Sequence, residues 1–193
     1  MIEHFSLERV NKAPASFDPQ KLVAFQDRAM QKLPLKQKVA KVLPFLQTAG
    51  YIDNPPPCDT GPYLSQICEA AGDRIKIAGD ILDYEDFFIA DEKLQYDEKT
   101  LGKRLRNAVN AVQLLTEFRE RLASVKAFDA ATLEVKLKEF VAEKEIKIGE
   151  IVHAVRVAVT GKAVGFGLFE TLAILGRERC LARIDRALQK VKS

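Results

Sequence analysis

Tryptophan is missing from this sequence, and histidine, methionine and cysteine number only 2, 2 and 3. Each shortage closes off a kind of chemistry. His4 and His153 are far apart, with no metal-ligand spacing to Cys58, Cys68 or Cys180, so no zinc site is expected. Three scattered cysteines without a Cys-x-x-Cys pair do not make a disulfide framework and suit a reducing, cytoplasmic setting. No apolar run is long enough for a membrane span, and no secretory signal opens the chain. Phosphate loops are also lacking. Gly161-Lys162-Ala163 has neither the preceding glycine nor the Ser/Thr of a Walker loop. Gly165-Phe166-Gly167 lacks the third glycine and the preceding strand of a dinucleotide turn.

What is present is core and charge. A 193-residue chain with 47% hydrophobic residues can build one or two compact domains. The net charge of +3 conceals a strong asymmetry. Residues 50–98 hold 3 Lys/Arg against 12 Asp/Glu, a balance of −9, whereas 1–49, 99–146 and 147–193 stand at +4, +3 and +5. A polyanion is drawn to the last part and repelled by the middle. The acidic run Asp80, Asp83, Glu85, Asp86, Asp91 and Glu92 has no D-x-D-x-D-G loop and no partner histidine, so it reads as a solvated face rather than a metal or acid–base site.

Helical patterns fill the chain. Asp18-Pro19 marks a helix start, with Asp as N-cap and Pro in the first turn, and the helix should run to about Lys32. Leu35, Val39, Val42, Leu43 and Leu46 share one face of a second helix, which Pro44 should kink or split. Asp53 to Pro57 is a loop. Gly72-Asp73 divides a helix over 62–71 from a longer helical segment reaching Phe88. Leu101, Leu105, Ala108, Val112, Leu115, Phe118, Leu122 and Val125 recur at threes and fours. They predict one long central helix over 97–126, whose Lys103, Arg104 and Arg106 read as solvated by default and as candidate phosphate contacts otherwise. Asp129 caps another helix that buries Leu133, Leu137, Phe140 and Val141.

The last third carries the most information. Val155, Val157 and Val159 alternate with Ala154, Arg156 and Ala158 as in a strand, while helical spacing puts His153, Arg156 and Thr160 on one face. A lone strand has nothing to pair with, so helix is the expectation. Gly176 is placed to end one helix. In the helix after it, Leu181, Ile184, Leu188 and Val191 make an apolar stripe, and Arg179, Arg183, Arg186 and Lys190 a basic ridge opposite. That ridge reads as a solvated face. Arg156, on an apolar helix, must find an acceptor, either a buried carboxylate or the edge of a bound base or a phosphate.

The order A-V-R-V-A-V-T-G, G-F-G-L-F-E-T-L-A-I-L-G-R-E-R and R-I-D-R-A-L resembles the C-terminal part of bacterial-type glutamyl-tRNA synthetases. So do F-S-L-E-R-V and A-S-F-D-P-Q-K-L near the start, and R-I-K-I with D-Y-E-D-F-F in the middle. The signatures H-I-G-H and K-M-S-K or K-L-S-K of that family's catalytic part are absent. The resemblance implies an all-α, two-part helical bundle with no sheet. It has a linker and first anticodon-binding subdomain over 1–92 and a C-terminal anticodon-binding subdomain over 93–193. It implies a tRNA partner, glutamate-specific, and no catalytic residue, metal or cofactor in this chain, with ATP and magnesium belonging to the parent enzyme. A monomer is expected. Arg156 matches the motif arginine and is the first candidate for anticodon contact. Arg74, His153, Thr160, Gly165, Phe166 and Leu168 complete the candidate set, Phe166 as a base-stacking ring. Lys162, Arg179 and Arg183 are candidate phosphate contacts. Pro commonly stands at the place of Phe166, and Gln at that of His153. The alternatives are a helical protein-interaction module, a free-standing paralogue without RNA binding, or a metal-dependent hydrolase using the acidic middle.

Overall fold

The computed structural model describes residues 18–192, and these are all-α, with no strand among them. His4 and the opening F-S-L-E-R-V lie outside the described residues. Helix α1 (Pro19–Gln31) starts where the sequence placed it. The Asp18 carboxylate accepts from the Gln20 and Lys21 N–H groups at 3.0 and 3.2 Å, satisfying donors that the first turn leaves orphaned. Helix α2 (Leu35–Thr48) runs through Pro44 without being split. Pro44 and Ala40 are both exposed, so the Ala40 carbonyl freed by the missing N–H can be hydrated. Val42 and Leu46, at 0% exposure on either side, hold the helix to the core.

Helix α3 (Thr60–Ala71) ends at Gly72. The expected longer helix to Phe88 is instead a chain of 3-10 turns, over Gly72–Arg74, Ala78–Phe87 and Asp91–Lys93. Asp80 restarts the run at Ala78: as the third residue of a capping box, its carboxylate accepts from the Lys76 and Ile77 N–H groups at 2.8 and 3.0 Å.

The single central helix expected over 97–126 is broken as well. A short α4 (Glu98–Leu101) passes into a π-turn (Gly102–Arg106) and then a bend, before α5 (Ala111–Ser124) begins. Asn110 takes a left-handed conformation at φ 59°, a conformation asparagine tolerates better than most residues, and Val109 beside it is 83% exposed. Helix α6 (Ala130–Glu143) begins at Asp129, which accepts from the Thr132 N–H at 2.9 Å, and it buries Leu133, Leu137 and Phe140.

The central element is in fact α7 (Ile148–Thr160). It packs against α5, α6, α8 and the π-turn and buries Ile151, Ala154, Val155, Val157, Ala158 and Val159. A helix buried on most of its surface, with a narrow polar line through His153 and Arg156 left partly exposed, carries valines on several faces, which explains its strand-like alternation. Last comes α8 (Leu168–Lys192), bent at Gly176, whose φ of 78° and ψ of 163° are open essentially to glycine alone. No described helix is long and apolar enough to cross a membrane.

Candidate nucleic-acid interface

Helix α7 ends in a turn that fixes everything around it. Gly161, at φ 73°, donates its N–H to the Val157 carbonyl at 2.8 Å and accepts from the Asp97 N–H at 3.1 Å. A Cβ here would stand 1.9 Å from the Gln95 carbonyl oxygen, so only glycine fits. The Thr160 hydroxyl donates to the Arg156 carbonyl at 2.8 Å and accepts from the Lys162 N–H at 3.2 Å. Thr160 is 5% exposed. Its role is to cap the helix, which corrects the expectation that it meets RNA.

Beyond the turn, Phe166 plugs into the 3-10 segment. It is 2% exposed, stacks on Phe87 with ring centres 5.2 Å apart, and lies against Tyr84 at 5.4 Å. The expectation that Phe166 stacks on a base is therefore corrected, because both faces of its ring are covered by protein. Leu168, 4% exposed, belongs to the core as well.

The plug aims Arg156. Its Nη1 donates to the Phe166 carbonyl at 2.8 Å, and the guanidinium makes no ion pair among the described residues. It is half-buried. Burial holds its pKa below the usual arginine value, as does nearby Arg74, while Glu170 opposes them. A buried carboxylate partner is the plain alternative for this residue, and no carboxylate forms a salt bridge with it among the described residues. Gly165, exposed, is what lets the guanidinium pass so close: a Cβ there would come within 3.3 Å of Nη1. Arg74 is exposed and makes one long bond, 3.4 Å, to the Ala71 carbonyl. It pairs with neither Asp73 nor Asp80. His153, one turn before Arg156, is partly exposed. Burial depresses its pKa, and Arg104 on the π-turn and Arg156 add to the effect. Four cationic or potentially cationic groups, Arg74, Arg104, His153 and Arg156, thus lie near one another along one side of α7, and no salt bridge among the described residues neutralises any of them.

Alongside runs an open groove of about 480 Å³, lined by Arg74, Leu82, Asp83, Tyr84, Glu85, Lys162, Val164 and Gly165. Lys162 is not poised for a phosphate. Its ammonium donates to the Asp83 carbonyl at 2.8 Å and to the Asp86 carboxylate at 3.1 Å, strapping the turn to the 3-10 segment. Asp86 is 4% exposed, and burial raises its pKa against the opposing pull of Lys162.

The basic ridge of α8 is turned inward. Arg183, 0% exposed, donates to Asp91 Oδ1 at 2.6 Å, the Val159 carbonyl at 2.7 Å and the Asp86 carbonyl at 2.8 Å. Arg179 reaches the same Asp91 oxygen at 3.1 Å and the Phe87 and Ile89 carbonyls at 3.0 and 2.8 Å. Arg186 donates to the Asp91 and Leu94 carbonyls. The expectation of phosphate contacts at Arg179 and Arg183, and of a solvated ridge, is corrected: these guanidiniums satisfy carbonyls that the 3-10 turns leave without donors. Much of the acidic middle is thereby explained, since Asp91 and Asp86 are partners of α8 and of the α7–α8 turn. Among the described residues no cluster of His, Cys, Asp and Glu is arranged to hold a metal ion.

Of the ten sequence candidates, Arg156, Arg74, His153 and Gly165 remain accessible and converge. Sequence reasoning missed Tyr84 as a groove wall, hidden in an acidic run, and named Arg104 as a candidate phosphate contact only beside a default solvated reading.

A family model described as an anticodon binding domain matches residues 37–188. The glutamate–tRNA ligase of Moorella thermoacetica is 35% identical over 192 residues, which take in 100% of this chain and 39% of that protein. That of Roseiflexus castenholzii is 36% identical over 188 residues, 97% of this chain and 37% of the relative. The chain therefore spans less than two fifths to about two fifths of the length of these relatives. A crystal structure of a glutamate tRNA ligase from Elizabethkingia meningosepticum, in complex with its amino acid, superposes with a TM-score of 0.82 over 98% of this chain and 36% of that one. At 21% identity that likeness speaks for the fold. With most of its length matched and its helices in the same arrangement, the chain belongs to the anticodon-binding domain family.

Proposed function

We propose that this chain holds the anticodon loop of a glutamate tRNA for a glutamate–tRNA ligase. It supplies affinity and identity to a glutamylation whose ATP, magnesium and catalytic residues belong to the remainder of the ligase. It works in the cytoplasm, as a monomer. The observation that carries this reading is the state of Arg156: half-buried, in no salt bridge among the described residues, and fixed by the Phe166 carbonyl with Arg74 alongside. A guanidinium pinned through one N–H keeps the others for an acceptor that arrives from outside. Unpaired bases are read in that way, by planar donors on their edges.

A bidentate base contact contributes about 1–3 kcal/mol of discrimination. Arg156→Ala should therefore weaken binding of the cognate glutamate tRNA by about 5- to 150-fold. It should weaken a non-cognate tRNA much less, as measured by fluorescence anisotropy at fixed salt. Equal binding of both tRNAs by Arg156→Ala and by the unaltered chain would remove the role proposed for this residue. A chain that binds no tRNA at low salt would remove the whole reading.

A further inference from the structure

Single-stranded bases need a flat surface as well as donors. The ring expected to supply it, Phe166, is sealed in. What seals it is a three-ring ladder. Phe87 stacks on Phe166 with an interplanar angle of 16°, and Tyr84 leans on Phe166 at 36°. Phe87 and Phe166 are buried, at 3% and 2% exposure. Tyr84 is the outer rung. It is partly exposed and forms a wall of the groove together with Arg74, Val164 and Gly165.

Three observations give this position its meaning. First, the ring is backed on one side by aromatic carbon, so it is held rigid without the other side having to be covered. Second, the Tyr84 backbone, at φ −104° and ψ 27°, breaks the helical run of the 3-10 segment. A residue in this sparsely populated region points its side chain where a regular turn would not. Third, Arg74 is close enough to act on the phenol: burial raises the Tyr84 pKa, and Arg74 is the first influence to oppose it. A cation beside an exposed aromatic wall, with few bonds of its own, can meet a base at its edge or on its second face.

We propose that Tyr84 is the stacking platform of this groove and receives one unpaired nucleobase of the bound RNA, with Arg74 flanking it. This rests on the RNA-binding reading above. Phe166 becomes a positioning residue that props Tyr84 from behind and turns its own carbonyl to Arg156. The acceptor is a nucleobase rather than a phosphate, because Asp83 and Glu85 line the groove on either side of Tyr84 and disfavour an anion within it.

The test uses the full 193-residue chain and a glutamate-tRNA anticodon hairpin carrying 2-aminopurine at each anticodon position in turn. One position should be strongly quenched on binding, because stacking on a phenol quenches that base. Tyr84→Phe should keep the quench and bind within about twofold, since the face and not the hydroxyl does the work. Tyr84→Ala should lose the quench at that position and bind about 5- to 150-fold more weakly. The slope of log Kd against log salt should stay unchanged, because no cation is removed. Tyr84→Leu, which refills the space over Phe166 without a ring, should resemble Tyr84→Ala in quench and affinity. Recovery of both by Tyr84→Leu, or tight binding by Tyr84→Ala, would overturn the proposal. If Arg156→Ala abolishes discrimination while every Tyr84 variant binds normally, the platform fails and the RNA-binding reading stands. If the unaltered chain does not bind the hairpin, both fall together.

Discussion

Replacing Arg183 with methionine tests the inward ridge of α8. Methionine keeps much of the length and volume of the stem but removes every N–H, so the loss is electrostatic rather than a cavity. Two buried carbonyls, of Val159 and Asp86, lose donors that sat at 2.7 and 2.8 Å. Each carbonyl left without a donor costs about 1–3 kcal/mol. Asp91 also loses its 2.6 Å partner but keeps Arg179 at 3.1 Å, and its side chain is 22% exposed, so it is not stranded as a lone buried charge. Summed with some relaxation, the loss of the two carbonyl partners should be about 3–5 kcal/mol. For a chain of this size that lowers Tm by about 6–20 °C. Differential scanning calorimetry measures the fall, and urea titration gives the same free energy independently. A companion measurement separates this clamp from the phosphate contact suggested by the sequence. Below its melting temperature, Arg183→Met should show the same salt dependence of RNA binding as the unaltered chain. A melting temperature within about 2 °C of the original, with a shallower salt slope, would mean that the guanidinium faces RNA after all.

Other expectations follow from the same geometry. Gly161→Ala should destabilise by about 2 kcal/mol or more, because the new Cβ meets the Gln95 carbonyl oxygen and the φ of 73° is strained for alanine. Gly165→Ala, with a 3.3 Å contact to the Arg156 tip and no positive φ, should leave Tm nearly unchanged in the same melt. Thiol titration of the native chain should show one fast cysteine, the exposed Cys58. Cys68 and Cys180 are buried, their thiol pKa values pushed up to about 11 and about 12, and they should react only after unfolding. Two fast thiols would mean that α3 or α8 opens readily. Asp86 has its pKa raised in the fold by burial, so its protonated form is favoured there. Its contribution is fullest below the ordinary carboxylate range and is lost as pH rises through the raised pKa. Asp86→Asn should therefore gain stability relative to the parent chain as pH climbs through weakly acidic values. Urea titrations across that range would show a constant difference if the carboxyl is unperturbed.

How much of this was legible in the residues depends on what each signal needed from its neighbours. Asp18 and Asp129 announced their helices because an N-cap acts on the next three residues and on nothing distant. The all-α class, and Arg156 as the first candidate for RNA contact, came through the resemblance around Arg156, since the valine alternation of α7 by itself leaned towards strand. The break in 97–126 was written in Asn107 and Asn110, flanking an exposed Val109, but the apolar repeat on either side of it kept its phase and concealed it. Pro44 does not split α2, because a proline on the exposed side of a helix anchored by Val42 and Leu46 frees only a carbonyl that water can reach. The orientation of Arg179, Arg183 and Arg186 had no local signature. A basic stripe looks the same whether water or a row of unsatisfied carbonyls faces it, and those carbonyls come from 3-10 turns some ninety residues away. Phe166 and Tyr84 exchanged places for the same reason, as only the packed ladder shows which ring is outermost.

The groove has one wall from the segment around Arg74 and Tyr84 and the other from the turn around Gly165, with the intervening helices contributing nothing to its lining. Neither stretch owns the binding surface. Cleavage between Glu98 and Ile148 would leave two fragments, each holding half a recognition element and the exposed ends of a severed clamp. If this groove is where RNA is held, as proposed, a nick far from it should weaken binding as surely as losing Arg156.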